Sequence, residues 1–201
     1  MTKLTARVVL LSAAFVLMFG VSAFADPILF THTGTGSGSL DGTAFTTTEF
    51  TISGVGDTAS RFSFGGGYFI NLISATIDIV GVGNLTFVTG TRFFVNNSAN
   101  LVGFSRAGFG GLDLFNGPTD SAFASWDMLT SIGPIGGNAS LLQWLSSAVI
   151  TDQGQLVFNS GASASTFQAT VGTTAVPEPG SLLLLGTGLG ALGIVLRKRR
   201  K

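Results

Sequence analysis

From Leu85 to Asn96 the chain alternates with a period of two. Leu85, Phe87, Thr89, Thr91, Phe93 and Val95 fall on one parity, and Thr86, Val88, Gly90, Arg92, Phe94 and Asn96 on the other. That period sets successive side chains on opposite faces of an extended strand, whereas a helical face recurs every three to four residues. Ala75, Ile77 and Ile79 against Thr76, Asp78 and Val80 repeat the pattern, and Phe167, Ala169 and Val171 give one face of a last strand. Thr, Phe, Val and Ile suit pleated, half-buried surfaces. Turns are expected at the clusters Gly34–Gly38, Gly54–Asp57, Gly65–Gly67, Gly81–Asn84, Asn96–Asn100, Gly108–Gly111, Asn116–Pro118 and Gly133–Asn138. Short strands at this spacing predict an all-β domain, an antiparallel β-sandwich or jelly roll. One segment departs from the pattern. Asn138 is suited to cap a short helix with Leu141, Leu142, Leu145 and Val149 along one side and Trp144 beside them, closing one end of the sandwich.

Between residues 26 and 175 three arginines, Arg61, Arg92 and Arg106, face nine carboxylates. These are Asp26, Asp41, Glu49, Asp57, Asp78, Asp113, Asp120, Asp127 and Asp152, so this stretch carries a formal charge of −6 although the whole chain is neutral. An acidic surface disfavours nucleic acid and anionic lipid and leaves cations or neutral glycans as partners. The chain has no Cys, which removes disulfides, thiolate metal sites and cysteine nucleophiles together. A stretch of this length still encloses one self-sufficient core, since a domain of about 150 residues buries about 68–70% of its unfolded surface.

The ends carry the most specific signals. Lys3 and Arg7 precede an apolar run from Val8 to Val21, followed by Ala23-Phe24-Ala25. A basic start, a short apolar run and a small-x-small site make residues 1–25 a secretory signal peptide, cleaved after Ala25 so that the mature chain begins at Asp26. The opposite end runs Val176-Pro177-Glu178-Pro179-Gly180, then an apolar, glycine-interrupted stretch over 181–196, then Arg197-Lys198-Arg199-Arg200-Lys201. The prolines forbid a helix upstream. Residues 181–196 form a helix of about 24 Å at 1.5 Å per residue, which spans a membrane with help from the snorkelling basic tail. Five cations after the span stay in the cytoplasm and leave residues 26–175 outside. The resulting organisation is a signal peptide (1–25), an extracytoplasmic domain (26–171), a tether (172–176) and a tail signal (177–201).

Val176, Pro177, Glu178 and Pro179, the Leu-rich span and the terminal Arg/Lys cluster together strongly resemble the PEP-CTERM sorting signal of exported proteins in Gram-negative bacteria that make exopolysaccharide. The resemblance covers about residues 176–201. It implies recognition by an exosortase, a membrane-embedded transpeptidase, with cleavage near Pro177-Glu178-Pro179. It also implies export through the Sec machinery, anchoring in the inner membrane through the tail helix before processing, and then a place in the cell envelope, the exopolysaccharide layer or biofilm, or the medium. By this reading the tail residues are substrate, not catalyst.

Chemistry within residues 26–175 is sparse. His32 is the sole histidine, and no Gly-x-Ser-x-Gly elbow accompanies it, so it reads as a surface or strand-end residue. Asp113, Asp120 and Asp127 offer oxygen ligands but lie outside any calcium-loop pattern. Gly34–Gly38 and Gly65–Gly67 lack the residues of a phosphate loop. No catalytic residue, metal ligand or cofactor is assigned. The leading expectation is a structural, non-enzymatic surface or matrix protein. Its rivals are a glycan- or calcium-binding adhesin, for which Tyr68, Phe69, Trp126 and Trp144 supply candidate stacking aromatics, and a small hydrolase using His32 or an acid pair.

Overall fold

In the computed structural model the described residues are 26–108 and 111–172, and about two thirds of them are in strands, with almost no helix. In chain order the strands are β1 (Pro27–Leu40), β2 (Thr43–Asp57), β3 (Arg61–Phe64), β4 (Gly67–Asn71), β5 (Ser74–Ile79), β6 (Gly83–Thr86) and β7 (Thr91–Asn96). They continue as β8 (Leu101–Arg106), β9 (Asp113–Thr119), β10 (Ile132–Leu141), β11 (Val149–Thr151), β12 (Gly154–Phe158) and β13 (Gly161–Val171). All pairings are antiparallel, as expected, and they join into one continuous sheet in the order β3-β4-β7-β8-β9-β10-β13-β1-β2-β5-β6, with β12 also on β1 and β11 on β12.

The sheet curls until distant parts of it face each other. Phe30 of β1 stacks on Phe93 of β7 at 4.7 Å, although β8, β9, β10 and β13 lie between those strands in the sheet. The bend is built into the first hairpin. β1 pairs with β13 through Ile28–Thr33 and then with β12 through Gly38–Leu40, and its register with β2 slips between Gly36 and Gly38. A bulge of that kind sharpens the local twist and lets one strand serve two parts of a curled sheet. The tip is Asp41-Gly42, both with positive φ (47° and 84°), the conformation of a two-residue hairpin turn.

Period two predicts most of the core in these segments. Ala75, Ile77, Ile79, Leu85, Thr91, Phe93, Val95, Phe167 and Ala169 are buried and Phe87, Thr89 and Val171 partly so, while Val80 and Val88 on the opposite parity are exposed; Phe94, also on that parity, is buried. The glycine clusters divide into two kinds. Gly65–Gly66, the residues around Gly81, and Asn97–Asn100 do connect strands, but Gly34–Gly38, Gly54–Asp57, Asn116–Pro118 and Gly133–Asn138 lie within β1, β2, β9 and β10. Close packing explains the first of these. A Cβ on Gly34 would stand 2.5 Å from Phe50 Cζ and 2.6 Å from Phe115 Cζ, so the missing side chain is the space those rings fill.

The helix expected after Asn138 does not form. Asn138, Ala139, Ser140 and Leu141 pair in β10 with Ala164, Ser163, Ala162 and Gly161 of β13. The Leu142 and Gln143 amides then donate to the carbonyls of Leu114 and Asp113, so the backbone groups a helix needs are committed to the sheet. A turn at 144–146 follows, leaving Leu145 exposed and Trp144 buried against Phe158 at 4.9 Å. Among the described residues the only helical turns are two 3-10 turns, Thr58–Ser60 and Ser121–Ala124. Asp57 and Asp120 cap them, each accepting from the amide two residues on at 2.8 Å.

The two edges of the sheet end differently. Beyond β6, Phe87 bridges to Thr151 of β11, the Asp152 amide donates to the Thr86 carbonyl (2.9 Å), and the Val88 amide donates to Ile150 (2.9 Å). That edge is laced back to β11 and, through β12, to β1. At the other edge, among the described residues β3 pairs with β4 alone.

Candidate functional site

His32 lies on the same parity of β1 as Ile28 and Phe30 and is fully buried, which corrects the expectation of a surface histidine. Its ring packs against Phe115 (4.3 Å), Phe167 (5.5 Å) and Phe93 (6.1 Å). Among the described residues neither ring nitrogen has a hydrogen-bond partner of normal geometry, and the nearby Gly117 backbone only partly offsets the burial. Desolvation lowers its pKa from 6.5 to about 3, so the imidazole is neutral at neutral pH. Sealed behind rings, it cannot take a proton from a substrate.

The three aspartates that offer oxygen ligands serve local structure. Asp120 caps a helical turn. Asp127 pairs with Arg61 at 3.2 Å and accepts from the Leu129 amide, while Asp113 accepts from Asn116 Nδ2 at 2.8 Å. Asp113, Asp120 and Asp127 are therefore not brought together, and among the described residues no group of three or more His, Asp and Glu is placed to hold a metal. Two of the candidate stacking aromatics, Trp126 and Trp144, are buried and present no face to a ligand. Trp126 is core, against Phe123 and Phe167 with its Nε1–H donating to the Thr130 carbonyl (2.8 Å), and Trp144 is core with its Nε1–H on Leu114. Tyr68 is half-buried under the Arg61 guanidinium at 4.4 Å.

Aromatic surface gathers instead on the outer face beside the β3 edge. The hairpin turn at Gly65–Gly66 sets Phe62 directly across from Phe69, and Phe69 across from Phe94 on β7. Phe62 is 51% exposed and Phe64 41%, large values for phenylalanine on a strand. Phe62 and Phe69 stack at 5.2 Å with their planes 17° apart, and Phe64 leans on Phe69 at 6.4 Å. Arg92 lies with its guanidinium over Phe69 at 4.7 Å and donates from Nε to Ser105 Oγ at 2.8 Å. Burial draws the Arg92 pKa below its ordinary value and Asp113 partly restores it. Phe94 is nearly buried, lying across Gly103 of β8, where a Cβ would come within 2.4 Å of its ring. Phe64, Phe69, Arg92, Phe94, Asn96 and Asp113 line an open cavity of about 270 Å³. Of these aromatics, Phe69 alone was a sequence candidate. The signal for the others is Phe62-x-Phe64 running into Gly65-Gly66-Gly67, an alternating strand that ends in a tight turn.

The processing residues fall elsewhere. Ala23, Ala25, Val176, Pro177, Glu178, Pro179 and Arg197 to Lys201, together with the expected span 181–196, lie outside the described residues. Among the described residues no helix is long and apolar enough to cross a membrane. Asp26 is exposed, and its carbonyl accepts from the Thr58 amide and hydroxyl. The Gly172 amide donates to Pro27 at 2.8 Å, so the domain's first and last residues leave it side by side. Comparison with known proteins finds the PEP-CTERM protein-sorting motif over residues 175–200. No curated protein and no solved structure matches the chain.

Proposed function

We propose, from a tail whose sorting motif marks the chain as an exported exosortase substrate, that residues 26–175 are a structural component of the cell surface or extracellular matrix. The signal peptide is removed before Asp26, the 181–196 helix holds the chain in the inner membrane, and the exosortase cuts near Pro177-Glu178-Pro179. The product then resides in the envelope or the exopolysaccharide layer, and its work there is done by binding and packing, not by catalysis.

The observation that carries this reading is the sorting motif beginning at residue 175, four residues after β13 ends at Val171. That short tether joins an all-β domain directly to an export address. The buried, neutral His32 supports the non-catalytic part, since it removes the one histidine a hydrolase would use.

Fractionating cells into membrane, periplasm, matrix and medium tests the reading. The native chain is expected mainly in the matrix or surface fraction, and a chain lacking residues 175–201 is expected to leave that fraction and collect in the periplasm. An identical distribution of the two chains would overturn it.

A further inference from the structure

The cleft beside β3 has a chemistry that narrows its occupant. Phe62 and Phe64 are exposed, Phe69 lies half-buried between Phe62 and the Arg92 guanidinium, and three polar groups border them: Arg92, Asn96 and Asp113. Asn96 Oδ1 accepts from the Ala99 amide (3.0 Å), and among the described residues its Nδ2 hydrogens have no partner. Arg92, its guanidinium over Phe69, uses Nε on Ser105, and among the described residues its terminal N–H groups have no hydrogen-bond partner; Asp113 accepts from Asn116 through Oδ2. The rim thus offers donors and acceptors together, next to flat apolar faces.

We propose that this cleft binds a neutral hexopyranose chain, one sugar ring stacked over Phe64 and the next over Phe62, with Phe69 packed behind Phe62. A pyranose ring with equatorial hydroxyls has a face of C–H groups carrying partial positive charge, which complements the negative face of an aromatic ring. Its hydroxyls each donate and accept, and they match Arg92 and Asn96 as donors and Asp113 as acceptor. Charge excludes the main competitors. Residues 26–175 carry −6, which repels uronate polymers and anionic lipid, and the Arg92 cation already faces the Asp113 carboxylate. A membrane occupant would also have to bury Asp113 against hydrocarbon. The sheet supplies rigidity, because Phe69 is held between Phe62 on β3 and Phe94 on β7.

This inference goes beyond the matrix role and stands apart from it, because binding is measured on purified protein whatever its sorting. The exported protein is titrated calorimetrically with neutral hexasaccharides of glucose, mannose and galactose and with a uronate hexasaccharide. Saturable binding to at least one neutral chain is expected, with weaker or no binding to the uronate. Phe64→Ala and Phe62→Ala should each weaken it about tenfold, the effect of losing a central stacking contact. Phe64→Tyr should retain it, and the thermal unfolding of Phe64→Ala should match that of the native chain because Phe64 is half-exposed. Absence of binding across all neutral chains, preference for the uronate, or binding indifferent to both alanine variants would each overturn the proposal. Self-association of the native chain that Phe64→Ala abolishes, with no sugar effect, would overturn it in favour of a second copy seated on the β3 edge.

Discussion

Phe167→Ala is expected to destabilise the domain by about 3–5 kcal/mol, the range for removing a fully buried aromatic ring. The magnitude follows from where Phe167 stands. It is completely buried on β13, and its ring meets Phe30 (6.3 Å), His32 (5.5 Å), Phe93 (5.8 Å), Phe123 (5.9 Å) and Trp126 (5.7 Å). These partners come from β1, β7 and the segment after β9, so one ring joins both sides of the curled sheet. Rings on strands cannot slide together to fill the gap, because their backbones are fixed by the ladders on either side. Against a typical domain stability of about 5–15 kcal/mol, such a loss lowers the melting temperature by on the order of ten degrees. Urea unfolding of the exported protein measures it. Phe167→Leu, which keeps most of the volume, should cost less than half as much and gives a folded reference should the alanine chain fail to accumulate. Phe62→Ala on the exposed edge should change stability by under about 1 kcal/mol. Equal losses for Phe62→Ala and Phe167→Ala would contradict the packing described.

The second large effect is a dependence of stability on pH that comes from one residue. His32 has its pKa lowered to about 3 in the folded chain and returns to its ordinary 6.5 on unfolding. Above pH 6.5 the imidazole is neutral in both states and costs nothing in protonation. Between pH 6.5 and about 3 the unfolded chain binds a proton that the folded chain refuses, so stability falls as pH falls. The slope approaches about 1.4 kcal/mol per pH unit, giving a loss of about 2 kcal/mol at pH 5 relative to pH 8, and it levels off below pH 3. His32→Leu should remove this contribution. It also removes two buried nitrogens that lack partners, so at pH 8 the variant should be as stable as the native chain or more so. Urea midpoints measured from pH 4 to pH 8 for both chains test this. Parallel profiles would show that His32 is solvated or paired, contrary to the site described.

His32 also illustrates how much the sequence holds. Ile28, Phe30 and His32 share one parity, so the rule that places Phe30 inside places His32 inside as well; composition, which makes a lone histidine look like a surface residue, points the other way. The inward parity of Ala75–Ile79 and of Leu85–Asn96 is legible because side chains alternate on a pleated sheet, but the second run is not one strand: residues 87–90 separate β6 from β7, and Phe94 is buried on the opposite parity. The misreadings have a common physical cause, since glycine has two uses in a sheet. At Gly65–Gly66 it turns the chain, whereas at Gly34 it makes room for Phe50 and Phe115, and only the partner strand distinguishes the two. Asp41-Gly42, which is not among the expected turns, is the hairpin tip, although its turn chemistry is local and needs no partner strand. Leu141, Leu142, Leu145 and Val149 imitate a helical stripe, but Ala139 and Leu141 alternate with Asn138 and Ser140 and pair with β13 across a long sequence gap. The aromatic cleft is likewise tertiary. Phe62, Phe64, Phe69 and Arg92 come from three strands, and nothing local sets them beside one another. The sorting motif is legible in full because a transpeptidase reads a contiguous segment, with no fold needed to assemble it.

The central claim is that this β domain is delivered outside the cytoplasm and then cut from its tail. Intact mass spectrometry of the native protein, recovered separately from membrane and culture supernatant, tests it most directly beside a Pro177→Ala/Pro179→Ala chain. The account predicts a native product that begins at Asp26 and ends near residue 178, with the double variant held in the membrane at full tail length. A native chain still carrying Arg197 to Lys201 in the membrane would contradict it and make the protein a tail-anchored one.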